Sequence, residues 1–376
     1  MDVKENIEFF NEATSVSYLY SNLMRSIDNC DLAQTTRLRD RLKNGGNMVV
    51  AEGYLLELER RGHLQAGAFI PEVVLEHPEV VKALHEEFVH AGSDVVVAFT
   101  YYGHRAKLKV IGREDDLMEL NLRALKMAKE VAVKTGTLMA GDICNTTIYH
   151  GDDPSSVEEV REIFREQIEW AVQSGADYII AERFEEFGEA KLALECIQQF
   201  GNGLPAVVTI APHVEDKTKD GLTFPEACKR LEEAGADVVG LNCCRGPSTM
   251  LPLLKEIKKV CKGPIAALPV PFRTTSEEPT MEVLTDPDTG MPAFPVDLPR
   301  FFCSRTQIAE FAAQAKEIGV QYIGLCCGNA SHYTRLLAEE YGRKPPASKY
   351  APDMSKHYRF GNKEFVKKHH TPGQQD

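Results

Sequence analysis

The sequence has no apolar run of the roughly 18 residues that a membrane-spanning helix needs. It also lacks an excess of positive charge: 43 Lys and Arg face 56 Asp and Glu, a net charge of −13. That balance argues against a nucleic-acid or anionic-membrane partner, since both require an electropositive face. The opening stretch MDVKENIEFF is acidic and lacks the basic-then-apolar order of a secretory signal. No CxxC spacing occurs, so that redox motif is absent. Residues 1–40 hold neither Gly nor Pro and read as a charged helical segment. Cysteine, by contrast, is plentiful at ten positions. Without a secretory signal these are expected to be reduced thiols in the cytoplasm rather than a disulfide framework. A hydrophobic fraction of 43%, with 27 Gly and 20 Pro, is that of a folded globular chain and excludes disorder and collagen.

After Asn44-Gly45-Gly46 the character changes. Eight short apolar runs follow: 48–51, 94–100, 137–141, 177–181, 206–210, 237–241, 265–268 and 322–325. Each lacks polar alternation, as a strand buried on both faces should. Segments of helical periodicity separate them, such as Phe164, Ile168, Trp170 and Ala171 before the fourth run. Three helix ends share one punctuation, at 174–177 (SGAD), 234–237 (AGAD) and 318–321 (IGVQ), and 91–94 (AGSD) is related. A glycine there suits the left-handed residue that closes a helix. Eight strand–helix units in about 300 residues predict an α/β fold, a (β/α)8 TIM barrel, rather than an open doubly wound sheet. Residues 274–300, rich in Pro, Asp and Thr, read as a long top-face loop covering a site.

In such a barrel the site lies at the C-terminal ends of the strands. The second run ends in Tyr101-Tyr102, the fourth in Glu182-Arg183, the sixth in Asn242-Cys243-Cys244 and the eighth in Cys326-Cys327-Gly328. Four of the ten cysteines therefore fall on one rim. Converging thiols in a reducing compartment are a ligand set that zinc prefers. Three thiolates with one open position suit binding of a fourth thiol, which loses its proton on coordination. The reaction class this suggests is alkyl transfer to a thiol. Cys30, Cys144, Cys196, Cys228, Cys261 and Cys303 read as buried core thiols. A vicinal-dithiol redox protein is the competing use of the doublets.

Gly240-Leu241-Asn242-Cys243 followed by Gly324-Leu325-Cys326-Cys327-Gly328 resembles the zinc signature of the homocysteine S-methyltransferases. Among them the chain is most similar to the betaine–homocysteine S-methyltransferases. Supporting stretches are 58–62 (LERRG), 71–79 (PEVVLEHPE), 98–102 (AFTYY) and 181–185 (AERFE), and the similarity runs from about residue 36 to 341.

The resemblance implies a methyl transfer from an onium donor to homocysteine on a zinc-bearing barrel, giving methionine. The donor would be glycine betaine or a sulfonium such as dimethylsulfoniopropionate or S-methylmethionine. It implies Cys243, Cys326 and Cys327 as the catalytic zinc ligands, with Cys244 a neighbour. Glu182 would hold the amino group of homocysteine, and Tyr102 would lie at the site, where it can fill the metal's open position. Phe69 stands where that family has a tryptophan of the onium cage, and Tyr101 and Tyr102 would add further faces.

The family's first strand ends in Asp-Gly-Gly, against Ala51-Glu52-Gly53 here, and its Gln before Phe-Thr is Ala98 here. Gly53 keeps the turn, whereas Glu52 adds bulk and negative charge on the substrate side. Those departures motivate an alternative, a non-catalytic zinc or small-molecule-binding homologue. The expected organisation is an N-terminal helical extension (1–35), a homocysteine-binding barrel (36–341) and a polar C-terminal tail (342–376). A homo-oligomer is expected to be weaker or smaller than in the betaine enzymes, whose C-terminal segments are longer.

Overall fold

A computed structural model describes residues 38–357 and 360–361. The expected extension over 1–35, Cys30 included, and the end of the tail lie outside the described residues. The described residues belong to one compact unit. Its eight strands are Met48–Ala51 (β1), Val95–Val97 (β2), Leu138–Cys144 (β3), Tyr178–Phe184 (β4), Ala206–Ile210 (β5), Val238–Asn242 (β6), Ile265–Leu268 (β7) and Tyr322–Leu325 (β8). All ladders are parallel, in the order β1-β8-β7-β6-β5-β4-β3-β2. The two ends of that order meet through side chains: Val49 N donates to Asp94 Oδ2 at 2.7 Å and Ala51 N to Ser93 Oγ at 3.2 Å. The result is the eight-stranded TIM barrel expected from the alternation of runs.

The repeated Gly-x-Asp punctuation has a double use. Gly92, Gly175, Gly235 and Gly319 all take positive φ (115°, 73°, 104° and 90°) and turn the chain out of a helix. The following Asp then clamps one residue of the preceding strand twice. Asp94 holds Val49, Asp177 holds Met139 and Asp237 holds Ala206, each by accepting the strand N–H on its carboxylate and donating its own N–H to the strand carbonyl. At the fourth site Gln321 keeps the backbone bond, to Ile265 O, and sends its amide to Leu42 O and Gly46 O. Strand entry is therefore fixed by the same four residues that end the helix.

Strand residues alternate between two apolar layers. Val49, Val96, Met139, Ile179, Val208, Val239 and Ile323 pack outward under the helices. Met48, Val50, Val97, Ala140, Ile180, Val238 and Leu268 share the other cluster. The hydroxyls of Tyr178 on β4 and Tyr322 on β8 meet at 2.9 Å. Those strands are not neighbours, so the bond crosses the barrel interior and fixes which parity faces inward.

Four strands differ from the sequence reading, β6 only by a shift of one residue to Val238–Asn242. β2 stops at Val97, because Thr100 leaves the ladder and donates its Oγ1 to Asp142 O at 2.7 Å. β3 runs on to Cys144 and β4 to Phe184. In β4 the register shifts between Ala181 and Phe184, where three steps oppose two on β5. This bulge puts Glu182 and Arg183 inside the strand rather than after it, and bends it at the rim.

The long segment between β7 and β8 folds over the barrel mouth. Its short turns Met281–Val283 and Leu298–Phe301 bury Met281, Leu284, Ala293 and Leu298 against Cys243, Cys244 and Cys326. Beyond the last helix, Ser331–Glu340, Arg343 bonds Asn47 and Asp94, which ties the start of the tail to the N-terminal end of β1. No helix among the described residues is long and apolar enough to cross a membrane.

Candidate metal and substrate site

Continuing the inward parity to the C-terminal ends of the strands gives Glu52 after β1, Asp142 on β3, Glu182 on β4, Asn242 on β6 and Cys326 after β8. The apolar interior thus ends in a polar layer. All five are buried.

Cys243, Cys326 and Cys327 converge, with all three Sγ atoms within 4.8 Å of one another. Cys243 Sγ lies 3.7 Å from Cys327 Sγ, and Cys326 Sγ 3.9 Å from Cys327 Sγ. Tetrahedral zinc with bonds of about 2.3 Å to sulfur sets its ligands about 3.8 Å apart, a spacing that those two edges match and within reach of the third. Hydrogen bonds from the thiols of Cys244, Cys326 and Cys327 hold Cys243 well below the usual thiol range. The same contacts push Cys326 and Cys327 up. Cys244 stays out of the triangle, and its Sγ lies 3.9 Å from an Arg183 nitrogen. The core thiols Cys144, Cys196, Cys228, Cys261 and Cys303 are buried and unpaired.

The backbone here is held in an uncommon conformation. Phe69, Tyr102, Arg183, Cys243 and Cys244 have φ of 53°, 58°, 62°, 71° and 56°. Each such residue costs on the order of 1–3 kcal/mol, so its surroundings must over-determine it. For the cysteines the clamps are Cys243 N to Leu268 O (2.9 Å), Arg245 N to Cys243 O (2.7 Å) and Met281 N to Cys244 O (2.8 Å). Gly53, at φ 89°, serves the same corner. A Cβ there would sit 2.3 Å from the Cys326 carbonyl oxygen.

Glu52 does not turn away from the barrel. Asn242 Nδ2 donates to Glu52 Oε2 at 2.9 Å and to Glu182 Oε2 at 2.6 Å, which spends both N–H groups of one amide on two carboxylates. Burial, then the charge of Glu182, pushes Glu52 well above the carboxylate range, and Asp142 rises for the same two reasons. Burial raises Glu182 to about 7. Glu52, Gly53, Tyr101, Asp142, Glu182, Arg183, Cys326 and Cys327 line one pocket at the mouth.

The other aromatic candidates stand apart from that pocket's lining. Tyr101 and Tyr102 touch, with ring centroids 4.4 Å apart, but Tyr102 turns one face to the Lys107 ammonium at 4.1 Å. Its backbone N–H donates to Cys144 Sγ at 3.2 Å. Phe69 packs between the barrel interior and the thiol cluster.

Sequence reasoning assigned no role to Arg183, Asp142 or Asn242. Arg183 is a half-buried cation beside the thiols, held loosely by Glu185 at 3.3 Å and Glu282 at 3.6 Å. The signal that finds Asp142 and Asn242 is parity: each lies an even number of residues beyond an inward apolar residue of its strand.

The family model of the homocysteine S-methyltransferases matches residues 49–341. The betaine–homocysteine S-methyltransferase 1 of Xenopus tropicalis is 33% identical over 341 residues, 86% of this chain and 80% of that protein. An S-methylmethionine–homocysteine S-methyltransferase of Pongo abelii is 35% identical over 328 residues, 82% of this chain and 83% of that protein. The fold is shared with the oxidized form of the homocysteine methyltransferase MmuM of Escherichia coli. That structure has a TM-score of 0.60 at 19% identity, covering 78% of this chain and 96% of that one.

Proposed function

The chain belongs to the homocysteine S-methyltransferase family, and from that premise we propose that it methylates the thiol of homocysteine, giving methionine, at a zinc held by Cys243, Cys326 and Cys327. The observation that carries the reading is the spacing of the three sulfurs, which matches one tetrahedral ion. Zinc bound there would lower the pKa of an incoming thiol, so that it reacts as thiolate at neutral pH.

The remaining chemistry belongs to the chain's own side chains. Glu182, oriented by Asn242, takes the acceptor's amino group. Gly53 keeps the β1 corner open to close backbone approach. Tyr101, which lines the pocket, offers an aromatic face to the onium donor, whereas Phe69 and Tyr102, outside that lining, would have to turn toward it to complete a cage. Arg183 offsets charge, since three thiolates on a dication leave one net negative charge in a buried place. In the transfer a new S–CH3 bond forms as the donor's N–CH3 or S–CH3 bond breaks, and the bonding pair stays on the donor. A neutral tertiary amine or thioether leaves, so no general acid is required. Glycine betaine, dimethylsulfoniopropionate and S-methylmethionine are the donors to compare. The reading keeps the division into an extension (1–35), a catalytic barrel (36–341) and a tail (342–376).

Metal analysis of the purified protein, with methionine formation followed in wild type and Cys326→Ala across that donor panel, tests the reading. The expected result is zinc near one per chain and methionine from at least one donor in wild type, both lost in the variant. Zinc and activity retained in Cys326→Ala would sink it.

A further inference from the structure

The acidic layer at the barrel mouth holds more hydrogen-bond acceptors than the chain supplies N–H donors. Glu52 Oε1, Asp142 Oδ1 and Asn242 Oδ1 are buried and meet no N–H of the chain, so without a ligand Glu52 and Asp142 are relieved only by binding protons and bonding to Glu182. Their residues are 3%, 4% and 0% exposed, so bulk water does not serve them. The amide of Asn242 is already spent on the second oxygens of Glu52 and Glu182. Arg183 lines the same pocket, but its guanidinium bonds outward to Glu185, Glu282 and Cys244. Glu52, Asp142 and Glu182 face the space that Cys326 and Cys327 also border.

Two orphaned carboxyl oxygens, those of Glu52 and Asp142, beside the Glu182 carboxyl on one buried space ask for a ligand that brings several donors on a single positive centre. A primary ammonium does so, with three N–H groups on one cation. An onium donor does not, because its cationic centre carries alkyl groups only. A carboxylate would add another acceptor to a place that already has too many. We propose that Glu52, Asp142 and Glu182 together form an ammonium seat for the thiol acceptor, and that Glu52 makes this chain select its acceptor by the amine rather than by the carboxylate.

The proposal rests on the thiol-methylation reading above and narrows its substrate class to aminothiols, homocysteine among them. It separates two truncated acceptors. Homocysteine without its carboxyl group (aminopropanethiol) keeps the ammonium, whereas homocysteine without its amino group (mercaptobutanoate) keeps only the anion.

The experiment compares kcat/KM for the two truncated thiols, with the best onium donor, in zinc-loaded wild type, Glu52→Gln and Glu52→Gly. Calorimetry with the S-methylated form of each thiol gives binding without turnover. In wild type the aminothiol is expected to be favoured by at least about tenfold, and its methylated form to bind tighter by a similar factor, the scale of one charge-assisted contact. Glu52→Gln keeps the side-chain volume and is expected to cut that preference severalfold, mainly through KM. Glu52→Gly is expected to erase most of it. A wild-type preference for mercaptobutanoate, or a ratio unchanged within about twofold in Glu52→Gln, overturns the proposal. Failure of the methylation reading looks different: no thiol is methylated by any donor, while calorimetry still ranks the two ligands and so decides the ammonium seat.

Discussion

Asn242→Ala is the sharpest probe of the buried polar layer, because one amide serves two carboxylates. The substitution removes the bonds to Glu52 Oε2 at 2.9 Å and to Glu182 Oε2 at 2.6 Å. Asn242 is fully buried, so bulk water does not replace them. A hydrogen bond to a charged group contributes about 1.5–3 kcal/mol and one to a neutral group about 1 kcal/mol. With Glu182 raised to about 7, that carboxyl is roughly half ionised at neutral pH. Glu52, pushed well up by burial, counts as neutral there. The two bonds together are then worth about 3 kcal/mol. Removing the unpartnered Asn242 Oδ1 returns about 1 kcal/mol, leaving a net loss of about 2 kcal/mol. A carboxylate with a raised folded pKa binds more protons folded than unfolded. Its cost is therefore absent below the unfolded value and grows as pH rises through the folded one. Losing the amide raises both carboxyls further, so the penalty is larger at about pH 8 than at about pH 5. Thermal melts at the two pH values read it, with an expected drop of about 3 °C at the higher. Asn242→Asp, which adds a fourth carboxyl, should lose more than Ala at the higher pH. Melts within about 1 °C of wild type at both values, or a larger loss at the lower, would refute the reasoning.

Three further expectations follow from single contacts. Gly53→Ala places a Cβ 2.3 Å from Cys326 O at a φ of 89°, a strain of about 2–4 kcal/mol on a proposed metal ligand. Soluble protein should fall in yield and in zinc per chain, and soluble Gly53→Ala with full zinc would contradict this. Glu189 is raised to about 7 by burial while its Oε1 accepts from Thr146 N and Oγ1, at 2.8 and 2.6 Å. Stability should therefore fall by up to about 3 kcal/mol as pH rises from about 4.5 to 7. Glu189→Gln keeps the acceptor and should remove that slope in urea titrations; an unchanged slope would show that Glu189 does not titrate there. Asp177→Ala deletes the 2.8 Å clamp on Met139 N and should cost about 1–2 kcal/mol, with Asp177→Asn recovering part of it. Equal urea midpoints for Ala and wild type would remove the strand-entry role.

What the sequence revealed about the fold and the site divides along a physical line. β1, β5, β7 and β8 match their apolar runs to the residue, because each ends where the ladder ends. The cysteine trio was legible for a related reason: the two doublets directly follow β6 and β8, and rim position converts sequence order into proximity. β3 and β4 run beyond their apolar runs. Asp142 and Glu182-Arg183 interrupt the apolar pattern there, and only the neighbouring ladder keeps Asp142, Cys144 and Glu182 extended. Ending β3 at Gly141 in the reading hid Asp142, which became an acid of the pocket. The β4 bulge is set by its register with β5, a relation between distant segments that no local pattern carries. The same holds for Tyr102, whose positive φ and Lys107 neighbour decide where its ring faces.

The acid layer and the thiol triangle are mechanically one unit, and the link is a single peptide. Asn242 closes β6 on the inward face, and Cys243 follows it at φ 71°. The amide fixes Asn242 against β1 and β4 through Glu52 and Glu182, which pins the peptide that presents the first sulfur. On the opposite side Asn329 donates to Glu52 O at 3.1 Å and its N–H bonds Cys326 O at 2.9 Å, so the β1 corner also grips the segment that presents the other two. Glu52 thus touches both cysteine-bearing strand ends, one through its side chain and one through its carbonyl. An acceptor amine seated on Glu52 and Glu182 would act on the same corner that sets the spacing of the sulfurs, so amine recognition and metal geometry are expected to change together when either is mutated.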